Sequence, residues 1–265
     1  MEYHGPKAKW LAAGRFRRRG IYWLPNVITT AALFAGFYAI VQAINQQYKY
    51  AAIAIFVAMV LDGLDGRVAR LTRTQSPFGA EYDSLSDMVS FGAAPALVIY
   101  EWALRGVGKV GWAAAFLYCA CAALRLARFN TNIEVVDRRY FQGLPSPAAA
   151  GLIAGFVWGF LSFEFQIAEW PWLALALTVF AALSMVSSIP FYSGKDINIR
   201  KSVPFHVVVL IAISVVLLFQ LADNWPEVLF GVFVIYAASG HVLWVVNAAR
   251  RKGVQAPPGA PPPGG

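Results

Sequence analysis

About eight apolar stretches, each roughly twenty residues long, dominate this sequence, and they fall at roughly 23–43, 48–66, 81–102, 110–129, 147–165, 170–190, 204–222 and 226–248. A segment of ~17–25 apolar residues is long enough to cross a bilayer as a helix. The stretches are continuously apolar and lack the period-2 alternation with a polar lumen that a membrane barrel requires. The sequence therefore predicts an all-α, polytopic helix bundle of about eight spans. With 58% hydrophobic and 14% charged residues and a mean hydropathy of +0.55, the chain needs lipid as its solvent. The Arg-rich run Arg15–Arg19 before the first stretch resembles the start of a signal peptide. The apolar run after it is too long for that and no small-residue cleavage site follows, so it is read as the first span.

The basic residues orient the bundle. Nineteen of the 22 lysines and arginines fall before span one, after spans two, four and six, or after span eight, and only Lys49, Arg105 and Lys109 lie on the other side. By the positive-inside rule both termini and the even-numbered loops are cytoplasmic, which places the protein in the cytoplasmic, or inner, membrane. The net charge of +8 is then an attraction to anionic headgroups. A nucleic-acid role would need a polar domain to carry it, and no such domain is evident. Residues 1–252 read as one integral membrane domain with a short basic N-terminal segment. The Pro/Gly-rich tail, 253–265, has no apolar run large enough to bury and is expected to be disordered. Cys119 and Cys121 make no disulfide framework. His4, His206 and His241 have no metal-site spacing, and packing or interfacial roles are expected for them.

Ionisable groups inside spans are costly and mark function by default. Four gather in one hairpin, LDGLDGRVARLTRTQSPFGAEYDSLSDMVSFGAAPA. Asp62 and Asp65 (i, i+3) end the second span, and Asp83 and Asp87 (i, i+4) open the third, so each pair occupies one helix face. Ser76 can cap the second helix and Pro77 can take its first position, which sets the turn near Thr74–Ser76. Folding the hairpin there brings all four carboxylates to a similar depth, about 13–19 Å from the turn at ~1.5 Å per residue. Four such charges facing one another repel. Two divalent cations would neutralise them, and hard oxygen ligands suit Mg²⁺ or Mn²⁺ and phosphate chemistry. Gly63, Gly66, Ala69 and Gly79 allow close helix approach and leave room for a nucleotide, while Arg70 can pair with a diphosphate. Glu81 lies off the acidic stripe and is expected to face solvent. The alternative, helix-end acids facing water, does not readily produce four acids in register with two glycines and an arginine.

The pattern Asp62-x2-Asp65-Gly66-x2-Ala69-Arg70-x8-Gly79-x3-Asp83-x3-Asp87 resembles, at all eight fixed positions, the signature of the CDP-alcohol phosphatidyltransferases. The resemblance implies that Asp62, Asp65 and Asp83 hold a two-metal centre, with Asp87 completing it and acting as general base on the acceptor hydroxyl. It also implies that Gly66, Ala69 and Arg70, with Gly79 on the same signature, contact the CDP moiety of CDP-diacylglycerol, and that the enzyme is a homodimer. The segments GIYWLPNVITTAALFAGFYAI, ALRLARFNT and FQGLPSPAAAG are similar to the phosphatidylserine synthase branch, which implies L-serine as acceptor. Spans seven and eight suggest packing alone.

Flanking residues keep two readings each. Asn26, with Thr29, either ends a helix or contacts the nucleotide, beside which the resemblance places it. Ser146-Pro147 is a good helix start, yet Gly143 and Ser146 also offer backbone donors and room for a small acceptor. Arg125 and Arg128 (i, i+3) are either positive-inside anchors or ligand groups, one for phosphate and the other, expected to be Arg128, for the serine carboxylate, a forked guanidinium being suited to bidentate binding. Other acceptors are the nearest alternative, namely glycerol 3-phosphate, an inositol phosphate or choline. An intramembrane prenyltransferase usually splits its acidic motifs between two hairpins, and an inverted-repeat transporter would show paired broken spans. Neither pattern is found.

Overall fold

A computed structural model of the chain describes residues 7–131, 140–162, 170–192 and 225–253, with side chains described for 23–131, 142–162, 170–191 and 225–246. These residues are almost entirely helical. The first helix, α1 (Lys7–Ile44), begins well before the apolar stretch, so the basic N-terminal segment continues the first span as one 38-residue helix. Gln46, at φ 61°, turns the chain into α2 (Tyr48–Thr72). The end of α2 is a Schellman motif: Arg73 is left-handed at φ 54°, its N–H donates to the Arg70 carbonyl, and the Thr74 N–H donates to that of Ala69 (3.0 Å).

Two residues later α3 (Pro77–Asp87) starts as its sequence predicts. Ser76 Oγ accepts the Gly79 N–H at 3.0 Å, and Pro77 occupies a position where no N–H is needed. The helical rod then runs on through a π-turn at Met88–Ala93, α4 (Ala94–Ile99) and a second π-turn at Tyr100–Leu104. Pro95 has no N–H for the carbonyl four residues back, that of Phe91, and Tyr118 Oη donates to it instead at 3.2 Å. After Gly108 come α5 (Lys109–Thr131), β1 (Tyr140–Gln142), α6 (Ser146–Ser162), α7 (Pro171–Val186), β2 (Pro190–Tyr192) and α8 (Trp225–Gly253).

The strands form a two-stranded antiparallel ladder, with Tyr140 opposite Tyr192 and Gln142 opposite Pro190. The ladder is a small addition to an all-α architecture. Three-residue strands carry too little alternation to be visible in sequence. Among the described residues, three helical segments are long and apolar enough to cross a membrane: Trp23–Ile44, Lys109–Thr131 and Trp225–Val246. Two shorter apolar helices are α6 and α7. The chain is a multi-pass membrane protein. The seventh expected span, 204–222, and residues 254–265 of the tail lie outside the described residues. Gly253, expected to open the tail, instead ends α8.

Small residues fill the inside. Ala35, Ala39 and Ala43 on α1 and Ala51, Ala54 and Ala58 on α2 are buried, while Phe34, Phe37, Trp112, Phe116, Trp172 and Ile235 point outward. Lipid gives no hydrophobic reward for burying a large side chain between helices, so close backbone packing takes over. α1 packs along α2 and also against α3 and the first π-turn, and α6 is embraced by α2, α4 and α8. Gly36 marks the tightest approach of α1 to the π-turn. A methyl group there would lie 2.7 Å from Ser90 Cα.

Gly36→Ala should therefore force α1 away from the π-turn, at a cost of ~1–3 kcal/mol. The expected result is a lower melting temperature of the detergent-solubilised protein, and a melting curve like that of the unmodified chain would contradict this close contact.

Candidate active site

The acidic pairs lie on the second half of α2 and the last two turns of α3, and α1 lies against both helices. Asp62, Asp83 and Asp87 each bring a carboxylate oxygen within 4.8 Å of the other two. The fourth carboxylate does not join them. Asp65, only 4% exposed, accepts a hydrogen bond from Thr29 Oγ1 of α1 at 2.7 Å. The same hydroxyl lies 3.0 Å from the Pro25 carbonyl. The expectation that all four meet is thus met by three, because the hairpin is not a closed pair of helices: α1 enters it and draws Asp65 to one side.

The cluster fits a hard divalent cation. Three carboxylates converge, and Asp83 Oδ1 is buried with no hydrogen-bond partner. An orphaned buried oxygen of this kind is what a metal ligand looks like without its ion.

Beside the cluster opens a cleft of about 230 Å³ lined by Asn26, Thr29, Asp65, Gly66, Ala69, Arg70, Ser76, Gly79 and Asp83. All six residues that the sequence assigns to the CDP-lipid share this one cleft. A volume below the ~300–1,000 Å³ of enclosing pockets suits part of an elongated ligand rather than the whole of it. Gly66 has only the guanidinium of Arg70 near its missing side chain, at 3.5 Å, and so keeps the cleft open. Gly79 faces Asn26 Oδ1 across it, 3.6 Å from where a Cβ would be. Gly63 has open space on its side, so it does not mark a close helix contact. Glu81 is exposed, as expected.

The register of α3 against α1 is fixed by serines that sequence reasoning passed over. Ser86 Oγ donates to the Thr29 carbonyl and Ser90 Oγ to that of Ala32, both at 3.2 Å. Their i, i+4 spacing on either side of Asp87 is the signal that could have revealed them. A third pair, Ser84 with Asn130 Nδ2 at 3.0 Å, ties the residue after Asp83 to the end of α5.

On the other side of Asp87 stands Arg125, 8% exposed, close enough for the two charges to interact. Its Nη1 donates to Ser146 Oγ at 2.9 Å, while its Nε is buried without a partner. Ser146 opens α6. Arg128, one turn later, is half-buried and donates to Gln142 Oε1 at the end of β1. Gly143, at φ 79°, spends its N–H on the Ile189 carbonyl (2.9 Å), so this backbone donor is occupied. Tyr236 of α8 lies within electrostatic reach of Arg125, a contribution that the sequence of the last span did not reveal.

The site therefore has two compartments on either side of a carboxylate cluster: a cleft with Arg70 at its edge, and a buried guanidinium with an unused N–H. Residues 22–180 match the family described as CDP-alcohol phosphatidyltransferase. The CDP-diacylglycerol–serine O-phosphatidyltransferase of Helicobacter pylori strain J99 is 36% identical over 225 residues, covering 85% of this chain and 92% of its own. The protein of the same name from Mycobacterium tuberculosis H37Rv is 34% identical over 244 residues, 88% of this chain and 82% of that one. Its namesake from Saccharomyces cerevisiae is 36% identical over 146 residues, about half of each. With the family match spanning more than half of its length and a relative of this similarity aligned along most of it, the chain belongs to the CDP-alcohol phosphatidyltransferase family.

Proposed function

We propose that this protein transfers the phosphatidyl group of CDP-diacylglycerol to L-serine, giving phosphatidylserine and CMP, in the cytoplasmic membrane with its site open to the cytoplasm. The observation that carries the serine assignment is the agreement of relatives from bacteria, an archaeon and yeast, all of which bear the serine-transferase name. The geometry supports the division of roles. Arg70 and the polar rim from Asn26 to Gly79 take the diphosphate and nucleotide. Arg125 and Ser146 face the acceptor. Arg125, rather than the Arg128 expected from sequence, is the better carboxylate partner, because it keeps an unpartnered Nε and its charge reaches Asp87, whereas Arg128 is engaged with Gln142.

In the reaction the serine hydroxyl oxygen attacks the phosphorus that bears the diacylglycerol. One P–O bond forms as the P–O bond to CMP breaks, and the hydroxyl proton passes to Asp87. Mg²⁺ or Mn²⁺ held by Asp62, Asp83 and Asp87, with Asp65 available to a second ion, would supply charge neutralisation for the diphosphate and the departing CMP. Thr29 fixes Asp65, and Ser86 and Ser90 fix the depth of Asp87, so the proton acceptor does not have to be ordered during the reaction. The protein works as a homodimer in this reading, in keeping with the resemblance. Direct transfer needs no covalent intermediate, since the site offers one base and no separate nucleophile.

Asp87→Asn keeps the size of the side chain and removes the base. CMP release should fall by about 10²–10⁴-fold while CDP-diacylglycerol still binds, and turnover at the unmodified rate would remove the general-base role. Asp62→Ala or Asp83→Ala should also abolish turnover, most severely at limiting metal.

The acceptor is tested by competition. With CDP-diacylglycerol, serine and glycerol 3-phosphate supplied together, phosphatidylserine should form. Exclusive production of phosphatidylglycerophosphate would overturn the serine assignment and leave the reaction class standing.

Orientation is tested by labelling. A cysteine at Gln75, in a background lacking Cys119 and Cys121, should react with an impermeant thiol reagent only when the cytoplasmic face is open to it.

A further inference from the structure

Helix α8 and the end of α7 lie beyond residue 180, past the segment that the family description covers. His241, in the middle of α8, is half-buried against that end. Its ring lies 5.1 Å from the ring of Phe180 on α7 and stands edge-on to Phe191 of β2 at 5.7 Å. Nδ1 is 3.0 Å from the Ala237 carbonyl, which can only accept, so Nδ1 carries a proton. In the neutral ring Nε2 is then an acceptor, and Ser184 Oγ, 3.3 Å away, is its donor.

Ser184 is also a backbone anchor. Its carbonyl accepts the Leu144 N–H at 2.8 Å and the Ser187 hydroxyl at 2.9 Å. The neighbouring Gly143 donates to Ile189, and its positive φ leaves no room for a side chain, because a Cβ would strike the Met185 carbonyl. Leu144 is fully buried, and Ser146, two residues on, receives Arg125. An unbroken chain of contacts therefore runs from His241 through Ser184 and Leu144 to Ser146 and the guanidinium beside Asp87. The last turn of a helix has carbonyls without intrahelical donors. Here those of α7 hold the loop that opens α6, and His241 of α8 touches α7 at Ser184 and Phe180.

We propose that His241 is a positioning residue for the acceptor side of the site: through Ser184 it sets the loop that holds Ser146 against Arg125. The proposal rests on the reading that Arg125 and Ser146 face the acceptor. It gives the last helix a task that neither the carboxylates nor the CDP cleft require. It also sets an expectation for kinetics, since loosening this loop weakens the hold on the acceptor and leaves the cleft at Arg70, on the other side of Asp87, undisturbed.

The test uses the purified full chain in micelles with CDP-diacylglycerol and Mn²⁺, and follows CMP release against each substrate in turn. His241→Phe keeps the ring packing and removes the hydrogen bond, and Ser184→Ala removes the same bond from the other side. Each should raise the KM for serine about three- to tenfold, the range set by one net hydrogen bond, with the KM for CDP-diacylglycerol unchanged. The double variant should be no worse than either single one, because both delete one interaction. Ser146→Ala is the control for the underlying reading and should also raise the serine KM. If it does so while His241→Phe and Ser184→Ala leave the serine KM unchanged, or raise both KM values alike, the positioning role is overturned and the acceptor site stands. If Ser146→Ala itself leaves the serine KM unchanged, the acceptor reading fails, and the role of His241 fails with it.

Discussion

Mutual repulsion among the carboxylates of Asp62, Asp83 and Asp87 is the constraint around which the bundle is arranged. With oxygens within 4.8 Å of one another, each ionised pair costs about 3–4 kcal/mol at an effective dielectric near 20. Three pairs approach ~10 kcal/mol, as large as the whole stability of an ordinary domain. Arg125 alone, already bonded to Ser146, offsets only part of it. Bound cations would offset the rest, and the unpartnered oxygen of Asp83 is consistent with a place for one. Asp65 stays within electrostatic reach of Asp62 and Asp83, and its own carboxylate accepts the Thr29 hydroxyl.

Holding the carboxylates this close requires helices that cannot slide. Apolar packing in lipid sets register poorly, since a slip of one turn exchanges one small residue for another. Polar contacts to α1 supply the missing specificity. Ser86 and Ser90 bond carbonyls about one turn apart, at Thr29 and Ala32, so the two contacts fix translation and rotation together. Gly36 admits Ser90 to that position. The π-turn that starts at Met88, directly after Asp87, lets α3 keep its acidic face toward α2 while the continuing rod turns a different face to α5.

Much of this was legible in the sequence. The caps at Ser76 and Pro77 are local, and spacing alone placed Asp62, Asp65, Asp83 and Asp87 on facing stripes. The six cleft residues likewise follow from one signature and one flanking segment. What escaped depends on partners distant in sequence. The departure of Asp65 is decided by α1, which hairpin geometry ignores. The β1–β2 ladder joins residues fifty apart through three-residue strands. Tyr236 and His241 stand in a span whose apolar character hides their contacts. The helical continuation of α1 back to Lys7 was masked by charge, because arginines end an apolar run without ending a helix.

The two compartments of the site differ in how their chemistry is secured. On the proposed reading, binding a diphosphate and an ion depends on side chains that project from α1, α2 and α3, all within residues 22–180, where the family match lies. Recognition of a small zwitterion makes a different demand. The ligand is short, so its carboxylate and hydroxyl must be located relative to Asp87 with little slack. A loop is too mobile to do this unless its backbone is tied to rigid elements. In this chain the α6 entry is tied to the end of α7, and α7 is tied to α8, through residues beyond the family segment. On the proposed reading, shared reaction chemistry and acceptor choice are therefore carried by different parts of the sequence. A change in the later helices can alter which alcohol is held without disturbing the carboxylates that act on it.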